Sequence, residues 1–234
     1  NRTFKYSPSK LIRERWILYL LKRQVVFSTS DSLLDLGCGR GSLLRKVLKS
    51  FPSAELYGAD YSEKAITENK KELPTIKFMV LDFEQDNLEA AFPKIDCIVS
   101  QEVIEHLDKN TQANFLKAIY NMLPKGGWAI VTTPDWESIQ SLRKNEETDV
   151  EFAKRFEGQP NANILTRKQL VELATKAGFN VVWHQTVCPY VKNRYLTNLL
   201  DLMLFLFPPV VEMFILNKLG VPGKYQVSLL KKEI

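Results

Sequence analysis

Three alternate glycines, Gly37, Gly39 and Gly41, sit in the run Leu34-Asp35-Leu36-Gly37-Cys38-Gly39-Arg40-Gly41. A turn of this kind brings backbone amides within hydrogen-bonding reach of a ligand. Leu33, Leu34 and Leu36 read as a strand running into the turn, and an apolar-periodic helix follows it, with its free N–H groups aimed at the same point. The result is a nucleotide-sized site, although dinucleotide-binding folds and ordinary turns share the spacing. Asp60, 25 residues after Asp35, ends a second run, Glu55-Leu56-Tyr57-Gly58-Ala59-Asp60. At the tip of a neighbouring parallel strand its carboxylate can accept both hydroxyls of a ribose; alternatively it caps the helix beginning near Ser62.

A second constellation is Glu102-Val103-Ile104-Glu105-His106-Leu107. As a helical turn it places Val103, Ile104 and Leu107 inward and groups Glu102, Glu105 and His106 on the other face. Three uses stay open. The acidic pair can be structural, favoured by a helix dipole with His106 hydrogen-bonded nearby. His106 can be a general base, its unperturbed pKa of about 6.5 suiting the task. All three can hold a divalent metal that orients an acceptor diol.

The elements that must position these residues alternate. Strands are expected at 33–36, 55–59, 76–80, 95–99, 128–132, 179–183 and 225–230, and helices at 9–21, 41–50, 62–71, 111–122 and 166–177. Ser9 and Thr166 serve as caps and Gly178 as a stop. Short apolar strands alternating with helices predict an α/β fold: a doubly wound, Rossmann-like sheet, mostly parallel with an antiparallel last strand, and helices on both faces. Ligands in such sheets lie beyond the carboxyl ends of the strands. A chain of 234 residues, 45% apolar and 25% charged, fits one globular domain over 1–234.

Read together, Leu34 to Gly41, Gly58-Ala59-Asp60, Leu81-Asp82-Phe83, Ser100 to Leu107, and Leu123 to Trp128 with Thr132-Thr133-Pro134 resemble the class I S-adenosylmethionine-dependent methyltransferases, in that family's order across roughly residues 30–183. The resemblance implies S-adenosyl-L-methionine as cofactor and S-adenosyl-L-homocysteine as product. It assigns Gly37, Gly39 and the backbone around Cys38 to the amino-acid portion and Asp60 to the ribose, with Gly41 and Tyr61 as further cofactor contacts. Asp35 organises the glycine loop near the sulfonium, Asp82 takes the adenine amino group, and Phe83 lies against the ring. Ser100 and Gln101 complete the cofactor contacts where the acceptor is placed. Glu-x-x-Glu-His is similar to the metal motif of ubiquinone-pathway O-methyltransferases and of small-RNA 2′-O-methyltransferases. The latter supply a further histidine after the fifth strand, and Asn161 to Thr166 contains none.

Methyl transfer to an oxygen of a small-molecule, sugar or lipid-like acceptor is therefore the expected function. An RNA 2′-O-methyltransferase and a non-catalytic cofactor-binding partner subunit are the alternatives. The net charge of +5 is concentrated in residues 1–23, which carry seven Lys or Arg against Glu14 alone. Such a patch suits an anionic partner or a plain solvated helix face, but no RNA-module pattern accompanies it, so nucleic acid is disfavoured. Helix 9–21 is expected to roof the site, and the polar segment 134–163 reads as a lid. Residues 196–219 read as two hydrophobic helices joined at Pro208-Pro209, forming a packed cap or homodimer face, a wall for a lipid-like acceptor, or a peripheral membrane contact. The unbroken apolar run Leu202–Val211 is 10 residues, half of what a bilayer span needs. Cys38, Cys97 and Cys188 form no Cys-x-x-Cys pair, and no secretory leader pattern opens the sequence, so a cytoplasmic location is expected.

Overall fold

Leu33 and Leu34 point to opposite faces of one strand, and each face finds its own apolar layer. The computed structural model describes residues 8–28, 30–140, 147–148, 151–152, 163–189, 194–221 and 223–233. Its strands are β1 (Ser32–Leu36), β2 (Glu55–Asp60), β3 (Lys77–Val80), β4 (Cys97–Gln101), β5 (Trp128–Pro134), β6 (Asn180–Pro189) and β7 (Gly223–Lys231). They form one sheet in the order β3-β2-β1-β4-β5-β7-β6. β1 to β5 pair in parallel, while β7 runs antiparallel to both β5 and β6. The strand order reverses at β1, between β2 and β4, which opens a crevice at the carboxyl ends of these strands.

On one face α1 (Pro8–Arg23), α2 (Ser42–Ser50) and α3 (Glu63–Glu72) cover Leu33, Cys97, Val99 and Ile130. On the other, α5 (Lys109–Met122) and α7 (Arg167–Ala177) cover Leu34, Ile98, Ala129 and Val131. Short helices α4 (Leu88–Ala91) and α6 (Trp136–Ile139) follow β3 and β5. Thr166 caps α7 through a reciprocal capping box with Gln169, and Gly178 stops it at φ +110°, as expected. Ser9 is instead inside the first turn of α1, where its hydroxyl accepts from Lys224 Nζ at 3.2 Å. β6 runs six residues beyond the expected 183, because pairing with β7 continues to Pro189 opposite Gly223. Most of the segment expected as a lid lies outside the described residues; of the rest, Phe152 is fully buried and meets Trp136 edge-on at 5.5 Å.

The two expected apolar helices are α8 (Arg194–Phe205) and α9 (Pro209–Leu219), a hairpin inserted between β6 and β7. No helix among the described residues is long and apolar enough to cross a membrane. A buried carboxylate fastens the hairpin. Glu212 accepts from Trp16 Nε1 at 2.9 Å, from Arg15 Nη2 at 3.1 Å and from the Cys188 amide at 3.1 Å, joining α9 to α1 and β6. Burial pushes its carboxyl pKa up, and these three donors oppose the shift. Glu212→Ala strands the indole and amide donors without an acceptor, so urea unfolding should report a loss of about 3 kcal/mol. Wild-type stability of the variant would show that the carboxylate does not hold the hairpin.

Candidate active site

The glycine turn closes onto the tip of β2. Ala59 O accepts from the amides of both Gly37 (2.8 Å) and Cys38 (2.9 Å), and Asp60 Oδ2 accepts from the Gly39 amide at 2.8 Å. Asp60 Oδ1 accepts from the Ser62 amide at 3.0 Å, so the residue organises the turn, while Ser62 itself caps α3 through Ala65 N–H. Each carboxylate oxygen keeps a further lone pair for a ligand hydroxyl. Gly37 (φ +85°), Gly39 (+49°) and Gly41 (+68°) are all left-handed. A methyl group on Gly37 would lie 2.2 Å from Val103 Cγ2, so the turn after β1 interlocks with the loop after β4; a methyl on Gly39 would meet nothing within 4 Å. Asn69 on α3 closes the far side, donating to Gly39 O at 2.7 Å.

Asp35 is 1% exposed at the end of β1, and no described residue donates a hydrogen bond to its carboxylate. Burial first, then the charge of Glu14, pushes its pKa up to about 8. Tyr61, 76% exposed, offers an open aromatic face next to Asp60. Asp82 Oδ1 accepts from the Glu84 amide at 3.0 Å, and no described residue donates to its Oδ2. The Phe83 ring packs against Phe115 at 5.7 Å and lines a groove with Asn114 and Ala118 beside α5. Ser100 is buried opposite Leu36 at the carboxyl end of β4, its Oγ without a hydrogen-bond partner among the described residues, and Gln101 follows, half-buried.

The structure does not bring Glu102, Glu105 and His106 together. Only Ile104–His106 form a turn, a 3-10 one, and Glu102 leaves β4 at φ +54°, outside it. Thr132 Oγ1 donates to Glu102 and Thr133 Oγ1 donates to Glu105, each at 2.9 Å. Consecutive residues of β5 point to opposite faces, so the two carboxylates are drawn apart. No group of three or more His, Cys, Asp or Glu among the described residues is arranged to hold a metal ion. Glu105 is fully buried. Glu102 faces Arg13 Nε at 3.6 Å; burial raises its pKa against the opposing effects of Arg13 and Thr132. His106 is half-buried with Nδ1 unpartnered, and burial lowers its pKa.

Arg13 and Glu14 are functional candidates that sequence reasoning missed. Helix α1 does not present one apolar stripe: Ile12, Arg13, Glu14, Trp16 and Ile17 are all buried, so its charged residues face protein on several sides. Lys10 and Lys46 meet Glu14, Arg13 meets Glu102 and stacks 3.9 Å over the Tyr225 ring, and Arg15 meets Glu212. Much of the expected basic patch is therefore spent on internal pairs. The only local signal was a carboxylate among basic residues at helical spacing.

Residues 7–184, which include the glycine turn and the carboxylate at the next strand tip, fit the profile described as Methyltransferase domain. The chain belongs to that family. It is 26% identical over 167 residues to malonyl-[acyl-carrier protein] O-methyltransferase 1 of Ilyobacter polytropus, covering 69% of this chain and 60% of that one. It is 32% identical over 152 residues to the small RNA 2′-O-methyltransferase of Mus musculus, covering 56% and 37%. The cyclopropane synthase MmaA2 from Mycobacterium tuberculosis superposes with a TM-score of 0.67 at 17% identity, over 99% of this chain and 87% of that one, a likeness of fold. The chain spans about half the length of the curated relatives it matches. It thus carries the mostly parallel, Rossmann-like methyltransferase domain that its motifs announced.

Gly37→Ala should cost about 2 kcal/mol or more in chemical denaturation, from left-handed strain together with the Val103 overlap. Adding Val103→Ala should recover the overlap part alone. If the single variant is as stable as wild type, the two loops are not interlocked.

Proposed function

We propose that this methyltransferase-domain chain moves the methyl group of S-adenosyl-L-methionine to an oxygen of a small, apolar or lipid-like acceptor. The observation that carries the reading is the glycine turn fastened to Asp60, with Ser100, Glu102 and His106 at the adjoining end of β4. The relatives named as malonyl-[acyl-carrier protein] O-methyltransferases support an oxygen acceptor. In this reading Asp60 holds the ribose hydroxyls, Tyr61 and Asp82 hold the adenine, and the turn amides hold the amino-acid portion. The acceptor oxygen bonds to the methyl carbon as the carbon–sulfur bond breaks. Sulfur keeps the electron pair and leaves as a neutral thioether, and one proton goes from the acceptor to a base.

His106 is our choice of base. Burial keeps its imidazole neutral below the usual histidine range, so it stays able to accept a proton into mildly acid solution. The rate should fall only as pH drops below about 6.5, where the ring becomes protonated. His106→Asn should lower kcat about 100-fold and abolish that acid limb, with cofactor affinity unchanged. S-adenosylhomocysteine release measured against phenolic, glycosidic and lipid acceptors checks this; no release with any of them sinks the proposal. The RNA alternative loses support with the separation of Glu102 from Glu105 across β5.

The α8–α9 hairpin supports an apolar acceptor delivered from a lipid surface. Leu199, Leu202, Leu206, Phe207 and Phe214 are about half or more exposed, and exposure peaks at Leu206, 78%, beside the proline tip. The one carboxylate of α9, Glu212, is buried and paired with Arg15, leaving Lys218 as that helix's exposed charge. An apolar tip with a basic flank suits an anionic bilayer surface. The chain should sediment with phosphatidylglycerol vesicles, and Leu206→Asp with Phe207→Ser should abolish sedimentation. A wild-type chain that ignores vesicles and elutes as a dimer would assign this face to a second copy instead.

A further inference from the structure

Arg13 brings a guanidinium from α1 to the end of β4, with its side chain 9% exposed. The group is planar, keeps its charge at any working pH and has five N–H bonds to satisfy. It lies 3.9 Å over the Tyr225 ring of β7, a contact that fixes its plane. The acid paired with it among the described residues is Glu102, and that contact is loose. Arg13 Nε stands 3.6 Å from Glu102 Oε1, beyond hydrogen-bonding range, and the same oxygen already accepts from Thr132 Oγ1 at 2.9 Å. Nε and Nη1 of Arg13 accordingly find no hydrogen-bond partner among the described residues. Its neighbour Arg15 is placed differently, donating to Leu204 O and to Glu212 Oε2, each at 3.1 Å. Buried donors left unmade cost free energy, most of all on a charged group, and a ligand that supplies the acceptors offsets that cost.

The position of the guanidinium narrows the choice of ligand. Glu102 follows β4, and Tyr225 pairs with Pro134 at the end of β5, so Arg13 sits over the β4–β5–β7 side of the sheet. The strand tip that carries Asp60 lies on the other side of β1. We propose that Arg13 selects an acceptor that carries an anionic oxygen group, a carboxylate or a phosphate, apart from the oxygen that is methylated. A guanidinium meets such groups with two parallel N–H bonds at once. Helix α1 also joins this point to the hairpin, because Arg15, two residues on, holds the last turn of α8 through Leu204 O. An acceptor with its apolar chain toward the hairpin and its anionic head at Arg13 uses both ends of that junction. The acceptor is then an anionic amphiphile with a free hydroxyl. The proposal rests on the methyl-transfer reading above, and its test separates the two.

Isothermal calorimetry of the full chain decides it, first with S-adenosylhomocysteine and then, on the saturated complex, with decanoate, decyl phosphate and decanol. These three probes share a chain and differ in the head. Decanoate or decyl phosphate should bind wild type about tenfold or more tightly than decanol, and the tighter of the two names the head group. Arg13→Met should erase that preference with S-adenosylhomocysteine affinity unchanged, and Arg13→Lys, which keeps the charge without the fork, should retain part of it. Leu206→Asp with Phe207→Ser should leave the preference in place; its loss there would assign the binding to the exposed hairpin tip and overturn the proposal. Equal binding of the three probes to wild type, or none, overturns it without any variant and leaves the cofactor reading intact. An Arg13→Met chain that keeps the preference overturns it as well. Loss of S-adenosylhomocysteine affinity in Arg13→Met would mean that the residue serves the cofactor or only seats α1, and would overturn it too. A wild-type chain that does not bind S-adenosylhomocysteine overturns both readings.

Discussion

The tip of β2 gathers the backbone of the first turn. One carbonyl, from Ala59, takes two amides, and the next side chain, Asp60, takes a third from Gly39 and a fourth from Ser62. That gathering is only available to a chain in the left-handed region, which is why glycine stands at 37, 39 and 41. It also fixes where Val103 must go, because the space above Gly37 is filled by that side chain. The geometry at the ends of β1, β2 and β4 therefore follows from one small set of hydrogen bonds.

Around that rigid turn the protein holds charge in a dry setting. Asp35, Glu14, Glu102, Glu105 and Arg13 are all largely withdrawn from water near the carboxyl ends of the strands. Some of this charge is settled by pairing, as between Arg13 and Glu102 or Glu14 and Lys46. Asp35 accepts from no donor among the described residues. Low dielectric strengthens any interaction a charged ligand makes here, and a sulfonium compound with a free amino group is such a ligand.

The fold and the glycine turn were legible because their signals are local. Glycine spacing, strand-length apolar runs and the Thr166 and Gly178 punctuation each act within a few residues, and each reappears in place. What was not legible depended on distant partners. Glu102, Glu105 and His106 look like one helical face in sequence, yet the left-handed exit at Glu102 and the opposed hydroxyls of Thr132 and Thr133 separate them. Arg13 and Glu14 read as part of a patch for an anionic partner or a solvated face because nothing nearby in sequence announces Tyr225, Glu102 or Lys46 as neighbours. The extension of β6 was hidden for a similar reason: His184, Gln185 and Thr186 lack a strand-like apolar alternation, and their place is set by pairing with β7.

The insertion point of the α8–α9 hairpin carries its own consequence. β6 and β7 are zipped along their lengths, and they would remain so whatever connected them. The connection is therefore free to change in length, greasiness and shape without unthreading the sheet, provided that something still satisfies the Trp16 indole and the Cys188 amide where Glu212 now does. The sheet thereby carries the hairpin as an appendage, held to the domain by the buried Glu212 and by the Arg15 guanidinium, which also donates to Leu204 O.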